Sequence, residues 1–327
     1  MRRIEFTQTM GIIATVLVGL LIISFLSKST REPQPSSSQD GDAAASTLVY
    51  VSDYFSFIGE DDSGHVVFAL DNNRGRDGDA WQAEHFVALH DEQQGWTELA
   101  GNGEYDNLGK QVLVIPDSPF FQFQGTPATG ITIISPPNDV ALRVDPIPER
   151  LSQEQDEGRY WMGASPAVLD WAGRTLKGRV IYEYLFMPDF NRLTRRYLGL
   201  WKEFQGLYAS VEGKGDLYVH SQQSPWLTPL VGELAGFAML DEHPEKLDDL
   251  QLNVLSKTQA LGFYRWPMQW QGRWAGREGP GSVAINLSDL KVISNWIIGG
   301  FALGIIQGEV DYNGRKQIIY GLAELLI

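Results

Sequence analysis

Alternation of apolar and polar positions dominates this chain from residue 47 onward, and this pattern is typical of β-strands. The run from Trp81 to Leu89 places Trp81, Ala83, His85, Val87 and Leu89 on one face. A second run, Arg179 to Phe186, places Val180, Tyr182, Tyr184 and Phe186 together. Turn-forming residues such as Asp61-Asp62-Ser63-Gly64 separate such runs at close spacing. Many short strands with close turns predict an all-β fold of antiparallel sandwiches or barrels.

Two hairpin-like stretches repeat each other 141 residues apart. The segment 169–174 is echoed by 310–315, and 183–186 is echoed by 324–327. The second copy contains Asn313-Gly314, a residue pair that favours the left-handed backbone of a two-residue hairpin turn. Because the second copy runs to residue 327, we expect it to close a domain. The first copy then closes an earlier domain of the same kind, which predicts two β-domains in tandem, each around its own hollow.

The remaining segments complete the predicted organisation. An uncharged apolar run, Gly11 to Leu26, predicts a single transmembrane helix. The residues that follow it make a poor cleavage site, which favours an uncleaved signal anchor over a cleaved signal peptide. With the amino terminus in the cytoplasm, the body would be extracytoplasmic in a bacterium. The predicted order is a polar segment 1–10, the signal anchor 11–27, a disordered linker 28–46, a β-domain 47–188, a linker helix 189–205 and a second β-domain 206–327.

Composition narrows the possible chemistry. The chain has no cysteine, so disulfides, thiolate catalysis and thiolate metal sites are excluded. A formal net charge of −15 argues against nucleic acid as a partner, because phosphate binding needs a basic stripe. The five histidines show no metal-ligand spacing; His85 and His90, five apart on a strand, are expected to face opposite sides. No phosphate loop, dinucleotide fingerprint or nucleophile elbow occurs, and we expect no cofactor and no metal.

Several short motifs resemble one known family. The segment 53–59 resembles the opening Glu-Trp-Trp-Tyr-Phe-x-Gly strand of the AttH-like and carotenoid 1,2-hydratase-like proteins. The segment 81–89 is similar to the family's Ala-His-Phe-Ala-Leu strand, 173–180 to its Asp-Gly…Gly-x-Ala hairpin, and 321–325 to its Gly-Tyr-Leu-Glu-Leu close. Together these matches span nearly all of the body. The resemblance implies two calycin-type, lipocalin-like barrels in one chain.

The resemblance also implies a possible reaction. Hydratase members of the family add water across a terminal double bond of acyclic carotenoids without a redox cofactor. Such chemistry needs a carboxylic acid that burial keeps protonated. Glu183 occupies the family's acidic position. His85, in the segment that is similar to the family's Ala-His-Phe-Ala-Leu strand, is a candidate partner. The segment 181–185 lacks the family's Trp, basic and Gly positions and carries Glu in place of Asp, which favours ligand binding over hydration.

Each candidate residue also has a structural interpretation. Glu183 could face solvent, opposite Tyr182 and Tyr184, and Glu324 in the second copy has the same context. His85 could be a core histidine with satisfied hydrogen bonds. The aromatic stretch 264–274 could form a lid or stacking platform, or could pack between the two barrels. The segment 71–79 has turn-forming residues and some acidic spacing but lacks the full calcium-loop pattern, so a plain loop is expected there.

Three functions remain open at this stage. The preferred prediction is a membrane-anchored protein that binds an apolar or amphipathic lipid or isoprenoid in a barrel or between the barrels. The predicted ligand contacts are Trp81, Tyr182, Tyr184, Tyr264, Trp266 and Trp270. The first alternative is a cofactor-independent hydratase or hydrolase that uses Glu183 as acid, with His85 as its partner. The second alternative is a scaffold whose barrels are filled by side chains and whose outer surface binds a partner protein.

Overall fold

A computed structural model describes the body of the chain, with interruptions. The described residues are 49–77, 80–105, 115–155, 158–187, 203–212, 214–223, 234–240, 243–259, 265–277, 279–296 and 299–326. Residues 46–327 form one compact unit. The predicted anchor 11–27 and the predicted linker 28–46 lie outside the described residues. Within the described ranges, no helix is long and apolar enough to cross a membrane.

Strands make up nearly all of the described structure, with one 3-10 helix, Pro136–Asn138. The strands of the first sheet are β1 Val49–Asp61, β2 Gly64–Asp77, β3 Ala80–Asp91, β4 Gly95–Thr97, β5 Gly103–Tyr105, β6 Gln122–Thr126, β7 Gly130–Ser135, β8 Val140–Val144, β9 Glu149–Gln155, β10 Gly158–Trp171 and β11 Arg174–Met187. Those of the second sheet are β12 Glu203–Val211, β13 Gly215–Gln223, β14 Leu234–Leu240, β15 His243–Lys246, β16 Asp248–Gln259, β17 Arg265–Gly276, β18 Gly279–Trp296, β19 Gly299–Tyr312 and β20 Arg315–Leu326.

The two sheets share one antiparallel topology. The first follows the order β4-β3-β2-β1-β11-β10-β8-β7-β6, with β5 on β3 and β9 on β10. The second follows β15-β14-β13-β12-β20-β19-β18-β17-β16. In each sheet the first strand along the chain pairs with the last, β1 with β11 and β12 with β20, in the middle of the strand order, and each sheet is curled. Over the described strands the two ends of each path are not paired, so these are curled half-barrels rather than the closed barrels predicted from the sequence.

The predicted repeat is confirmed as a pair of matching hairpins. Strands β10 and β11 are joined at Ala172-Gly173, and β19 and β20 at Asn313-Gly314. Both residues of each pair have positive φ, 49° and 75° in the first turn and 53° and 74° in the second. This backbone is typical of the two-residue turn that matches strand twist. The hairpins therefore hold equivalent places, each supplying the strand that pairs with the first strand of its own sheet.

Each sheet has an inner face, which covers its own core, and a contact face, which packs on the other sheet. The inner face of the first sheet is lined by side chains such as Phe55, Phe68 and Leu89. The contact faces meet in a third apolar cluster, to which the first sheet contributes Tyr54 and the second Tyr208, along with other apolar side chains. Strand alternation explains this arrangement, because both sides of the central strands are covered and neither side needs to be polar.

Buried charge also joins the two sheets. Arg179 on β11 donates from Nη2 to Asp216 Oδ2 on β13 at 2.6 Å, and both side chains are buried. His90 Nε2 lies 3.1 Å from Asp289 Oδ2, also across the contact face. His85 lies on the inner face, so the two histidines do face opposite sides as the strand spacing predicts.

Two local expectations were wrong. The segment 71–79 was expected to be a loop, but β2 continues to Asp77 because the Asn and Arg side chains at 72 and 74 find hydrogen-bond partners inside the sheet. The linker helix was expected to reach residue 205, but 203–205 belong to β12, where they pair with β13. The rest of that predicted helix, 189–202, lies outside the described residues.

Candidate functional site

Five polar side chains lie together on the inner face of the first sheet. We call this set the inner polar network, and its members are Asp53, Asn72, Arg74, His85 and Tyr182. None is more than 3% exposed, although three are of types that proteins rarely bury. Strand register explains the arrangement: Asp53 is opposite Asn72, and Asn72 is opposite His85, so they form a row across β1, β2 and β3.

An ion pair forms the centre of the network. Arg74 Nη2 donates to Asp53 Oδ2 at 2.6 Å, and Arg74 Nη1 donates to Asn72 Oδ1 at 2.6 Å. The Tyr182 hydroxyl donates to the other carboxylate oxygen of Asp53. Removing two charges from water costs several kcal/mol per ion unless they are paired and their remaining hydrogen bonds are met. The additional bonds from Tyr182 and to Asn72 therefore help these charges to remain inside the sheet.

His85 continues the network toward the ring of Tyr105. Asn72 Nδ2 lies 2.7 Å from His85 Nε2, and the ring of Tyr105 packs against the imidazole in a tilted arrangement at a centroid distance of 4.2 Å. Burial, and secondarily the nearby Arg74 charge, lowers the His85 pKa to about 4. The imidazole is therefore neutral at neutral pH and serves as a hydrogen-bonding group rather than a charge.

Partly exposed aromatic rings surround this network. We call them the rim, which comprises Tyr105, Phe123, Trp161 and Tyr184. Trp161 lies 4.8 Å from Tyr182 and 6.2 Å from Tyr184 between ring centroids. Burial raises the pKa of both Tyr105 and Tyr184, so both phenols keep their protons. Rings around a small number of convergent polar groups are typical of sites for small organic ligands.

The predicted catalytic pair is not brought together. Glu183 follows Tyr182 on β11 and therefore points to the contact face, whereas His85 lies on the inner face. The structural alternative for Glu183, exposure to solvent, is also wrong, because the second sheet covers that face. Glu183 accepts hydrogen bonds from the hydroxyls of Tyr160 and Tyr208, the latter at 2.8 Å.

Glu183 instead meets its own repeat partner, Glu324. The Tyr208 hydroxyl lies 2.8 Å from Glu183 Oε2 and 3.2 Å from Glu324 Oε2. Burial raises the pKa of Glu183 to about 7. Burial and the Glu183 charge raise the pKa of Glu324 to about 8. We call these two residues the glutamate pair; near neutral pH the pair holds on to a proton, and its titration is shared between the two sites.

The second sheet replaces the network by apolar packing. By strand register, Gln205 takes the place of Asp53, Leu234 that of His85, Ala323 that of Tyr182 and Ala302 that of Trp161. The space is filled by Trp266 and Trp270, which are buried, and Trp270 Nε1 donates to Gln205 Oε1 at 2.7 Å. These tryptophans thus lie inside the second core, and neither a lid nor packing between the sheets describes them.

The other predicted ligand contacts are only partly described. Tyr182 and Tyr184 lie on the inner face of the first sheet. Trp81 belongs to β3, but its side chain lies outside what the structure describes, and Tyr264 is outside the described residues altogether. Sequence reasoning missed Asp53, Asn72 and Arg74, although Asp53 stands in the first motif of the family resemblance. Their signal was alternation: each is in phase with the apolar residues of its strand.

Comparisons with known proteins bear on the fold. No family model matches the sequence, and no curated protein matches it. Among solved structures, a candidate AttH protein from Nitrosomonas europaea has a TM-score of 0.55 and 10% identity, covering 90% of this chain and 98% of that one. Kievitone hydratase from Nectria haematococca has a TM-score of 0.47 and 9% identity, covering 86% and 89% of the two chains. The chain therefore has the tandem lipocalin-like fold that its resemblance to the AttH-like proteins predicted.

Proposed function

We propose that this protein binds a small apolar or amphipathic molecule on the inner face of its first sheet. The observation that supports this is the contrast between the sheets at equivalent positions. The second inner face is filled by tryptophan, whereas the first keeps a buried charged network beside partly exposed rings. A purely structural core has no need of that network, because apolar packing of similar volume is as stable or more so.

The ligand would lie against the rim with its polar end at the network. Trp161 and Tyr184 offer flat apolar surface, and Tyr105 and His85 offer hydrogen bonds beyond it. The predicted anchor 11–27 would hold this site beside a membrane, which is a source of lipids and isoprenoids. Binding in the first sheet alone is the part of the proposal that experiment can test most directly.

The test uses native mass spectrometry of the protein purified without detergent, followed by titration with an apolar fluorescent probe. We expect one bound molecule per chain. Trp161→Ala should weaken probe binding by about tenfold, since it removes one aromatic contact with the probe worth about 1.4 kcal/mol. Leu255→Ala, at an exposed apolar position of the second sheet, is the control and should leave affinity unchanged. Absence of any bound probe would refute the proposal.

A second candidate function is cofactor-independent hydration or hydrolysis of a lipid or carotenoid-like substrate. Glu183 favours it, because a carboxyl with a pKa of about 7 can donate a proton near neutral pH. His85 is not available as its partner, and a substrate would have to reach Glu183 between the sheets. Assays with Glu183→Gln decide this: a catalytic acid requires turnover to fall by at least about a hundredfold. Unchanged turnover would remove Glu183 from the reaction.

A further inference from the structure

The orientation of Asn72 is fixed by its neighbours. The guanidinium of Arg74 can only donate hydrogen bonds, so the Asn72 atom 2.6 Å from it is the carbonyl oxygen. The amide nitrogen of Asn72 then faces His85 Nε2 at 2.7 Å and the Tyr105 hydroxyl oxygen at 3.1 Å. The ion pair thus fixes the orientation of the Asn72 amide, and that orientation makes Asn72 the hydrogen-bond donor to both His85 and Tyr105.

The orientation of the Asn72 amide determines which atoms of His85 and Tyr105 carry hydrogen. An amide nitrogen can only donate, so His85 Nε2 accepts and the imidazole proton is on Nδ1. The Tyr105 oxygen also accepts from Asn72, which leaves its own O–H to donate elsewhere. Ser118 Oγ lies 3.5 Å from His85 Nδ1 and 3.5 Å from the Phe121 carbonyl oxygen, both longer than a good hydrogen bond.

The site therefore presents hydrogen-bond donors that have no acceptor at normal distance among the described residues. They are His85 Nδ1–H, Tyr105 O–H and Ser118 O–H, and they lie on the rim side of Asn72. Donors of this kind favour a ligand group that only accepts. A hydroxyl oxygen also has two lone pairs, but its own O–H would need an acceptor, which these three donors do not supply. A carbonyl oxygen has two lone pairs and no hydrogen to donate, so it matches a set of donors better.

Charge sets a second requirement. Arg74 is already neutralised by Asp53 and is buried, and His85 is neutral at neutral pH. A carboxylate or phosphate placed here would be buried without a free counter-charge, which is strongly unfavourable. The donors are therefore suited to an uncharged acceptor.

We propose that the site selects the carbonyl group of an uncharged, otherwise apolar molecule, with Tyr105 O–H and His85 Nδ1–H as its donors. This inference rests on the ligand-binding function proposed above and specifies its ligand class. It also makes Tyr105 and His85 specificity-determining residues, whereas Trp161 and Tyr184 supply apolar contact that does not distinguish between ligands.

Three matched naphthalene probes separate the possibilities: 6-propionyl-2-(dimethylamino)naphthalene, 2-(dimethylamino)naphthalene and 6-(dimethylamino)-2-naphthoate. They differ only in the substituent at one ring position, which is a propionyl group with its ketone, a hydrogen or a carboxylate. We expect the ketone to bind at least about tenfold more tightly than the other two, the value of one good hydrogen bond. Tyr105→Phe should remove about tenfold of the ketone affinity and leave that of the hydrogen-substituted probe unchanged. Tyr320→Phe, in the second sheet, is the matched control.

The outcomes distinguish this inference from the function on which it rests. If none of the three probes binds, the ligand-binding proposal itself fails. If the ketone binds no better than its hydrogen or carboxylate analogue, binding stands and carbonyl selection is refuted. A second measurement avoids substitution: nitrogen NMR of the wild-type protein should show His85 protonated on Nδ1, with that proton shifting when the ketone is added. Protonation on Nε2 would overturn the assignment of donors.

Discussion

The two sheets of this protein share a topology and differ in what fills their inner faces. The second sheet uses Trp266 and Trp270 against small residues such as Ala302 and Ala323. In the first sheet, Trp161 and Tyr182 stand at the positions of those alanines, and a charged network lies beside them. The same curled scaffold thus supports either a packed core or a polar interior, and the choice lies in a few inward positions. The second alternative from the sequence, a scaffold whose outer surface binds a partner protein, stays a prediction.

The largest expected loss of stability comes from removing a tryptophan from the packed core of the second sheet. Trp270→Ala removes a fully buried indole and its bond to Gln205, and we expect the free energy of unfolding to fall by about 5 kcal/mol. Trp161→Ala, on the partly exposed rim of the first sheet, should cost about 1–2 kcal/mol because less area is lost. Urea denaturation of both variants tests the comparison. Equal losses would mean that the first interior is packed as tightly as the second.

The next effect tests whether the network is held by paired charge. Arg74→Met leaves the Asp53 carboxylate buried without its partner, and we expect unfolding free energy to fall by about 3 kcal/mol. Combining it with Asp53→Gln, the residue at this place in the second sheet, should recover most of that loss. The pair of denaturation curves is the measurement. A double variant no more stable than Arg74→Met alone would contradict the idea that the unpaired Asp53 carboxylate causes the loss.

The glutamate pair should make stability fall with rising pH. Both pKa values are raised above the ordinary value near 4.5, so the folded protein binds more protons than the unfolded chain from there upward. The contribution is complete below about pH 4.5 and is lost as pH rises through about 7 and 8. We expect a loss of at least about 1.4 kcal/mol, the equivalent of one pKa unit. Thermal unfolding from pH 5 to 9 measures it.

Two variants sharpen this pH test. Glu183→Gln should flatten the profile, since one carboxyl of the pair no longer ionises. Glu309→Gln, at an exposed ion pair with Lys316, should keep the wild-type slope. An unchanged slope in Glu183→Gln would show that the pH dependence arises elsewhere.

The smallest effect has the opposite sign and comes from the inner face. The pKa of His85 is lowered to about 4, so between about pH 4 and 6.5 the unfolded chain binds the extra proton. The contribution of His85 to stability should rise with pH over this window by about 1 kcal/mol, against the fall caused by the glutamate pair, so it is measured as the difference between the wild-type and His85→Leu profiles. His85→Leu, which copies Leu234 of the second sheet, should abolish this rise. NMR titration of His85 gives the pKa directly, and a value near 6.5 would contradict its burial.

Much of the fold could be predicted because alternation and turn chemistry are local signals. The repeat of 169–174 in 310–315 identified both closing hairpins, and Asn313-Gly314 identified one turn. Ala172-Gly173 carries a weaker signal, since alanine seldom adopts positive φ. Alternation also grouped Tyr182 with Tyr184 on one face of β11.

The site was harder to predict because its polar residues look like loop residues. The segment 71–79 is rich in Asp, Asn, Arg and Gly, a composition typical of turns. Only the partners across the sheet reveal that Asn72 and Arg74 face inward. Glu183 was identified from the acidic position of the family it resembles, but no sequence signal showed that the second sheet covers its face. The inward direction of Asn72 and Arg74 and the covering of Glu183 both depend on contacts between residues far apart in the chain, which composition alone cannot predict.

The meeting of Glu183 with Glu324 has a consequence for the symmetry of the whole body. Residues at equivalent places in two copies contact each other only near a two-fold axis, as in an isologous dimer. Strand contacts agree with this. Strand β1 contacts β20, and the equivalent strands with the two sheets exchanged, β12 and β11, also contact each other. The body therefore has the geometry of a homodimer joined into one polypeptide. We expect one half, expressed alone, to form a homodimer.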